Sequence, residues 1–179
     1  MVHLTKIYTK TGDSGHTALG NNYRVPKHST RLIAMGDIDE ANAAIGVALL
    51  YVKNDIIRVE LMRVQNHMFD LGATVCTPGV PFNPGYSLIN WFESRMDHYL
   101  EKQESLSSFI LPGGSEASAY LHLARTIVRR AERNLWKLVE EEKEDAIGAK
   151  FLNRLSDLLF VLAREENTNG DVLWRPIKE

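Results

Sequence analysis

Arg125, Arg129, Arg130 and Arg133 fall within a stretch of nine residues that also holds Glu132. At about 100° per residue, Arg125, Arg129 and Arg133 recur at i, i+4 and i+8 along one border of an apolar arc. That arc is formed by Leu121, Ala124, Ile127, Val128, Ala131, Leu135 and Leu138, and Glu132 falls almost inside it. Guanidinium forks grip phosphate oxygens in pairs, and several together match the charge of a triphosphate. Charge on the edge of a core-facing stripe is costly unless paired or used on a ligand. The same spacing also fits a solvated basic face on which Glu132 pairs with Arg129 one turn away.

Two further groups carry polar chemistry. The segment from Lys6 to Gly20 has no helical period and is dense in Gly, Thr, Ser and Asp. Gly12 and Gly15 allow consecutive backbone amides to point inward as an anion-binding nest, with hydroxyls from Thr11, Ser14 and Thr17 and charge from Lys10 and Lys27. The segment lacks the Gly-Lys-Ser/Thr of a P-loop and the strand-plus-GxGxxG unit of a dinucleotide site. A flexible arm is its competing reading. Farther on, Asn153, Asp157 and Arg164 align within about 40° on one helical face, which also fits a plain solvent face. Asp39 stands near an expected helix start, where the dipole alone favours an acid.

Other chemistries have no support. The six histidines are scattered, with no Glu-x-x-His or His-x3-His spacing, and no Gly-x-Ser-x-Gly elbow occurs. One cysteine, Cys76, excludes an internal disulfide and a cysteine zinc site. Phosphate-binding groups without a nucleophile or general base suit a reaction whose substrate brings its own nucleophile.

The elements that must position these residues are helical. Asp37-Ile38-Asp39-Glu40 reads as a capping box with Asp37 as N-cap, followed by a stripe of Ile38, Ala41, Ile45, Ala48, Leu49 and Val52. A second helix is expected from near Asp55, carrying Ile57, Leu61, Val64, Met68, Leu71 and Val75 inward, and stopped by the proline-rich loop 77–85. A third runs from about Ser87 to Glu104. The arginine helix opens at Ser115 and Glu116 and reaches about Glu140. A fifth, roughly Ile147 to Glu166, buries Phe151, Leu155, Leu158, Leu159 and Leu162. Five helices with short connections predict an all-α bundle, preceded by an ordered loop with a short extended start at Ile7-Tyr8.

With 179 residues, the chain suits one domain: a loop over 1–28, a bundle over 29–166 and a tail over 167–179. A net charge of −2 argues against a nucleic-acid binder. The longest apolar run, Ala43 to Val52, is about half a membrane span. With no h-region after Met1, a cytoplasmic protein is expected.

Taken in order, several motifs resemble the ATP:cob(I)alamin adenosyltransferases of the PduO type. They are Tyr8-Thr-Lys-Thr-Gly-Asp-Ser-Gly15, Arg24-Val-Pro-Lys27 and Gly36-Asp-Ile-Asp-Glu-Ala-Asn42 with Ile45-Gly46. In the second half they are Phe109-Ile-Leu-Pro-Gly-Gly114, Arg125-x3-Arg-Arg-Ala-Glu-Arg133 and Phe151-Leu-Asn-Arg-Leu-Ser-Asp-Leu-Leu-Phe160. The resemblance spans nearly the whole chain and implies a five-helix bundle assembled as a homotrimer, with sites between subunits. It implies ATP contacts at Thr9, Lys10, Thr11, Gly12, Thr17, Ala18 and Lys27 of one subunit. The neighbour would supply Arg129, Arg130, Ala131, Glu132, Arg133 and Asn153. Asp39 would pair with Arg125 across the interface, and Phe109 would sit over the corrin ring of cobalamin and displace its lower axial base. Mg²⁺ would ride on the ATP phosphates, with no protein ligand assigned. Glu132 would hold the arginines in place. Asn21-Asn22-Tyr23 and Val128 depart from the family pattern at positions that carry no chemistry.

Two other classes remain. A binding carrier or regulator on the same bundle would turn over slowly, while a purely structural bundle leaves the Gly/Thr/Lys loop unexplained. A reductase and a cobalamin-dependent client enzyme are the protein partners the resemblance implies; no membrane or nucleic-acid partner is expected.

Overall fold

The computed structural model describes residues 7–83 and 85–177; Lys6, Pro84 and the last two residues of the tail lie outside them. Five helices form the bundle: α1 (Thr30–Leu49), α2 (Asp55–Cys76), α3 (Gly85–Leu100), α4 (Glu116–Glu142) and α5 (Ile147–Glu165). α4 runs through the middle, with α1 on one flank and α5 on the other; α2 packs on the far side of α1 and α3 on the far side of α5. Protein helices gain most of their stability from a packed apolar face rather than from intrinsic propensity. The stripes read in the sequence supply those faces. Phe151, Leu155, Leu158, Leu159 and Leu162 of α5 are all fully buried, as are Ile57, Leu61 and Val64 of α2.

Helix starts follow local chemistry where a polar cap is available. The Asn54 side chain accepts from the Ile56 amide to open α2, and the Ser115 hydroxyl accepts from the Ser118 amide to open α4. α1 departs from the expectation. It begins seven residues before Asp37, at Thr30, so Asp37 lies mid-helix and caps nothing. Its carboxylate instead accepts from Arg130 and Asn134 of α4, and this tertiary pairing outweighs the local capping pattern. α3 ends at Leu100, four residues before the expected stop.

The segment before α1 also differs. Ile7 and Tyr8 form no strand; the extended residues are His16–Ala18 (β1) and Arg24–Pro26 (β2), paired antiparallel with Thr17 opposite Val25. The turn between them closes through Leu19 N–H to Tyr23 O (2.8 Å) and Asn22 N–H to Leu19 O (2.9 Å). Asn22 takes the left-handed conformation at φ 65°, which Asn tolerates better than most residues. Leu19 is buried, and the Gly20 amide donates to Cys76 O at 2.9 Å. The hairpin is thereby hung from the last turn of α2.

Arg31 braces that same end of the bundle. Its side chain is 3% exposed, and it donates to Val75 O at 2.7 Å and to the carboxylates of Glu142 and Glu144. Burial opposes the charge, but the two carboxylates more than offset this, and the guanidinium is held more firmly protonated than usual. Replacing Arg31 with alanine would leave two acids side by side and an orphaned carbonyl. Removing one partner of a buried pair costs about 3–5 kcal/mol; Glu142 is partly exposed, which brings the expectation to about 2–3 kcal/mol. Thermal unfolding of Arg31→Ala should therefore fall by roughly 5–10 °C, and an unchanged melting temperature would refute the bracing role.

Candidate functional site

The glycine-rich loop is a single organised unit. Lys10 and Gly15 adopt left-handed conformations, at φ 60° and 81°, and turns close from Asp13 N–H to Lys10 O and from Gly15 N–H to Gly12 O. A left-handed lysine costs about 1–2 kcal/mol, a strain typical of ligand-binding loops. Lys27 comes back to the loop twice: its amide donates to Gly15 O at 2.9 Å, and its side chain lies over Gly12. A Cβ on Gly12 would approach Lys27 Nζ to 2.9 Å, so glycine there permits the ammonium to sit against the backbone. Arg24 completes the frame by donating to Thr11 O (2.8 Å) and His16 O (3.1 Å). Thr9 and Thr11 join hydroxyls at 2.9 Å. Thr17 and Ala18 lie on β1 beside this frame. The loop thus presents two ammonium groups and several hydroxyls.

The second cationic group lies along the border between α4 and α5. Glu132 accepts from Asn153 Nδ2 at 3.1 Å, and this cross-helix bond sets the register of the two elements. Glu132 makes no ion pair among the described residues, so its partner is Asn153 rather than the arginines it was expected to hold. Arg129 and Arg133 are exposed, and Arg133 donates to Arg129 O at 3.1 Å. Arg125 is half-buried, and its Nε is enclosed with no hydrogen-bond partner among the described residues. Burial, and then the neighbouring Arg129, weaken its hold on the proton. Among the described residues, neither Arg125 nor Arg129 has an acidic partner.

The run from Arg129 to Arg133 divides between two faces. Ala131 is wholly buried in the core, so its side chain is not offered to solvent on either face. Arg130 turns toward α1, where Asp37 Oδ1 accepts from its Nε at 3.1 Å and Glu40 accepts from its Nη2. The Glu40 hydrogen bond is the largest influence holding that guanidinium charged. Arg130 therefore joins α1 to α4. The polar face read on α5 also divides: Asn153 meets Glu132, Asp157 pairs with Arg154, and Arg164 binds Asp171 and the Glu104 carbonyl.

Asp39 is exposed on α1, at the rim of a mostly apolar groove of about 390 Å³ between α1 and α2 that includes Met35, Met68, Phe69 and Cys76. It pairs with no cation among the described residues. Phe109, on the connection between α3 and α4, is 80% exposed. Among the described residues, no hydrogen bond joins the loop residues from Thr9 to Lys27 expected to meet ATP to α4 or α5. No group of three or more His, Cys, Asp and Glu able to hold a metal occurs among the described residues.

His122 escaped the sequence reading, although it stands three residues before Arg125 within the same helical arc. It is buried against Phe160 in an edge-on ring contact, and its Nδ1 has no hydrogen-bond partner among the described residues. Burial, then Arg125, lower its pKa, with Asp171 opposing. A depressed folded-state value means that the unfolded chain binds the proton first. The contribution to stability is complete above about pH 6.5 and is lost as pH falls toward the folded value. His122→Leu should flatten this acid-side slope by up to about 1.4 kcal/mol per pH unit. Urea melts at stepped pH check it; parallel slopes in both proteins would refute it.

Comparison with known proteins gives a consistent picture. Residues 7–166 match the family model described as cobalamin adenosyltransferase. The corrinoid adenosyltransferase of Mycobacterium tuberculosis (strain ATCC 25618 / H37Rv) is 50% identical over 184 residues, covering 98% of this chain and 95% of the relative. The human corrinoid adenosyltransferase is 39% identical over 171 residues, covering 90% of this chain and 68% of its own length. Among solved structures, a variant PduO-type ATP:corrinoid adenosyltransferase from Lactobacillus reuteri complexed with cobalamin and ATP superposes with a TM-score of 0.91. It is 34% identical and covers 96% of this chain and all of that one.

Proposed function

As the chain belongs to the cobalamin adenosyltransferase family, we infer that it transfers the 5′-deoxyadenosyl group of ATP to the cobalt of reduced cobalamin. The products are adenosylcobalamin and triphosphate. Cobalt supplies the electron pair for the new cobalt–carbon bond at C5′, and the C5′–oxygen bond breaks with its electrons leaving on the triphosphate. No proton moves at the reacting carbon, so the reaction needs no general base.

The observation that carries the residue assignment is that Arg125 and Arg129 have no acidic partner among the described residues, on a border where Glu132 and Asn153 are already bonded to each other. Positive charge without a counter-ion is poised for an anion. In this reading Arg129 and Arg133, with Lys10 and Lys27, meet the triphosphate and stabilise the charge that grows on it as C5′ is released. Thr9, Thr11, Gly12, Thr17 and Ala18 position the nucleotide. No hydrogen bond among the described residues ties the loop to the arginine border, and in this reading a neighbouring copy brings the two together. A homotrimer with three shared sites satisfies both halves, and in it Asp39 of one subunit neutralises Arg125 of the next.

Phe109 presents its exposed ring to the lower face of the corrin, excluding water and the axial base so that cobalt reaches the four-coordinate state that is easier to reduce. Mg²⁺ would arrive with ATP on its phosphate oxygens, where it would shield their charge; the cationic and hydroxyl-bearing loop fits such a complex without an acidic cluster. The cytoplasm, with a reductase upstream and a cobalamin-dependent enzyme downstream, is the setting proposed. No helix among the described residues is long and apolar enough to cross a membrane. Incubation with ATP, Mg²⁺ and chemically reduced cobalamin, followed by corrinoid absorbance, tests the reading. ATP-dependent appearance of adenosylcobalamin is the expected result, and its absence would overturn the assignment.

A further inference from the structure

We propose that the C-terminal segment 171–174 belongs to the corrinoid site, with Trp174 acting as a positioning residue for Phe109. This rests on the reading that Phe109 faces the corrin. The segment adds itself as a short antiparallel strand to the connection that carries Phe109. Leu111 N–H donates to Val172 O at 2.8 Å, Trp174 N–H donates to Phe109 O at 2.7 Å, and Ile110 stands opposite Leu173. The Ser108 hydroxyl adds a bond to Trp174 O at 3.1 Å. Backbone bonds on both sides of Ile110 fix the direction in which the Phe109 Cα–Cβ bond leaves the chain.

The rings complete the arrangement. Phe109 and Trp174 meet edge to face, with centroids 6.3 Å apart and planes at 64°, a favoured aromatic geometry. Phe109 is otherwise almost fully in solvent. Without Trp174, the same ring would sample its rotamers freely, and the work of excluding water from cobalt requires it in one place. The strand is itself fastened to the bundle. Arg164 of α5, whose side chain is buried, donates to Asp171 at 2.7 Å, and Asn167 Nδ2 donates to Gly170 O at 2.8 Å and to Asp171 at 3.2 Å. A chain of named contacts thus runs from the core of α5 through the tail to the ring that meets the corrin.

The test measures kcat, the KM for ATP and, by electron paramagnetic resonance, the four-coordinate fraction of bound cob(II)alamin in the presence of ATP. Trp174→Ala should lower kcat and the four-coordinate fraction roughly three- to tenfold, with the KM for ATP and the melting temperature unchanged. Trp174→Phe should restore both. In a Phe109→Ala background, the loss of Trp174 should add nothing further, because its effect passes through that ring. An equal loss in both backgrounds would overturn the positioning role, as would a normal Trp174→Ala enzyme beside an impaired Phe109→Ala one. A fully active Phe109→Ala enzyme would instead remove the reading of Phe109 itself, and the proposal with it.

Discussion

Replacing Arg129 with alanine should lower kcat by about two to three orders of magnitude while moving the melting temperature by no more than roughly 2 °C. Both halves follow from its placement. The side chain is exposed at the border of α4 and α5 and pairs with no acid among the described residues, so the fold loses nothing when it goes. In the proposed reaction the leaving triphosphate would lose a guanidinium placed where its charge develops, and the loss of one such donor weakens a transition state by about 3–4 kcal/mol. Arg130, one residue on, should behave in the opposite way. Its bonds to Asp37 and Glu40 join α1 to α4, and its removal should show mainly in the melt. Measuring turnover and unfolding for both variants separates the roles. Parallel losses of activity and stability in Arg129→Ala would mean that the cluster is structural.

Two inactive variants should regain activity together. One lacks the loop cations through Lys10→Ala with Lys27→Ala; the other is Arg129→Ala. If each site takes its loop from one subunit and its arginines from the next, random mixing gives about one site in four with both halves intact. Co-expressing the two variants should then recover about a quarter of wild-type turnover per site, far above either parent. A mixture no better than its parents would place the whole site within one chain. The first result is the expected one, because no hydrogen bond ties the described residues Thr9 to Lys27 to α4 or α5.

The five helices were legible in the sequence because each carries a long apolar stripe, and the sharpest starts have a side chain that satisfies free amides. Asn54 and Ser115 mark α2 and α4 to within a residue. The start of α1 was not legible. Asp37 and Glu40 stand at capping-box spacing, yet both are taken by Arg130, 93 and 90 residues away. The β1–β2 hairpin was hidden for a different reason. Its strands have three residues each and no apolar alternation, and Arg24, reaching back to two carbonyls of the loop, does much to hold it.

Of the candidate site, the residue types were readable, and their sorting onto faces was not. Arg129 and Arg130 are adjacent and chemically alike, but a 100° step sends one to solvent and the other to α1. Glu132 looked like an anchor for arginines; only the packing of α5 shows that Asn153 claims it. The tail strand beside Phe109 had no signal at all, since a single bridge such as Ile110 to Leu173 leaves no periodicity.

The hairpin hangs from α2 by the Gly20 amide and by Leu19, at the corner that Arg31 locks together. The hairpin itself is held at few points, while the corner it hangs from is firmly braced. Such a segment can lift and resettle at a small fraction of the free energy needed to unfold the helices. Displacing the hairpin would break the Gly20–Cys76 bond and uncover Leu19, and would leave the Arg31 network and the helices behind it in register.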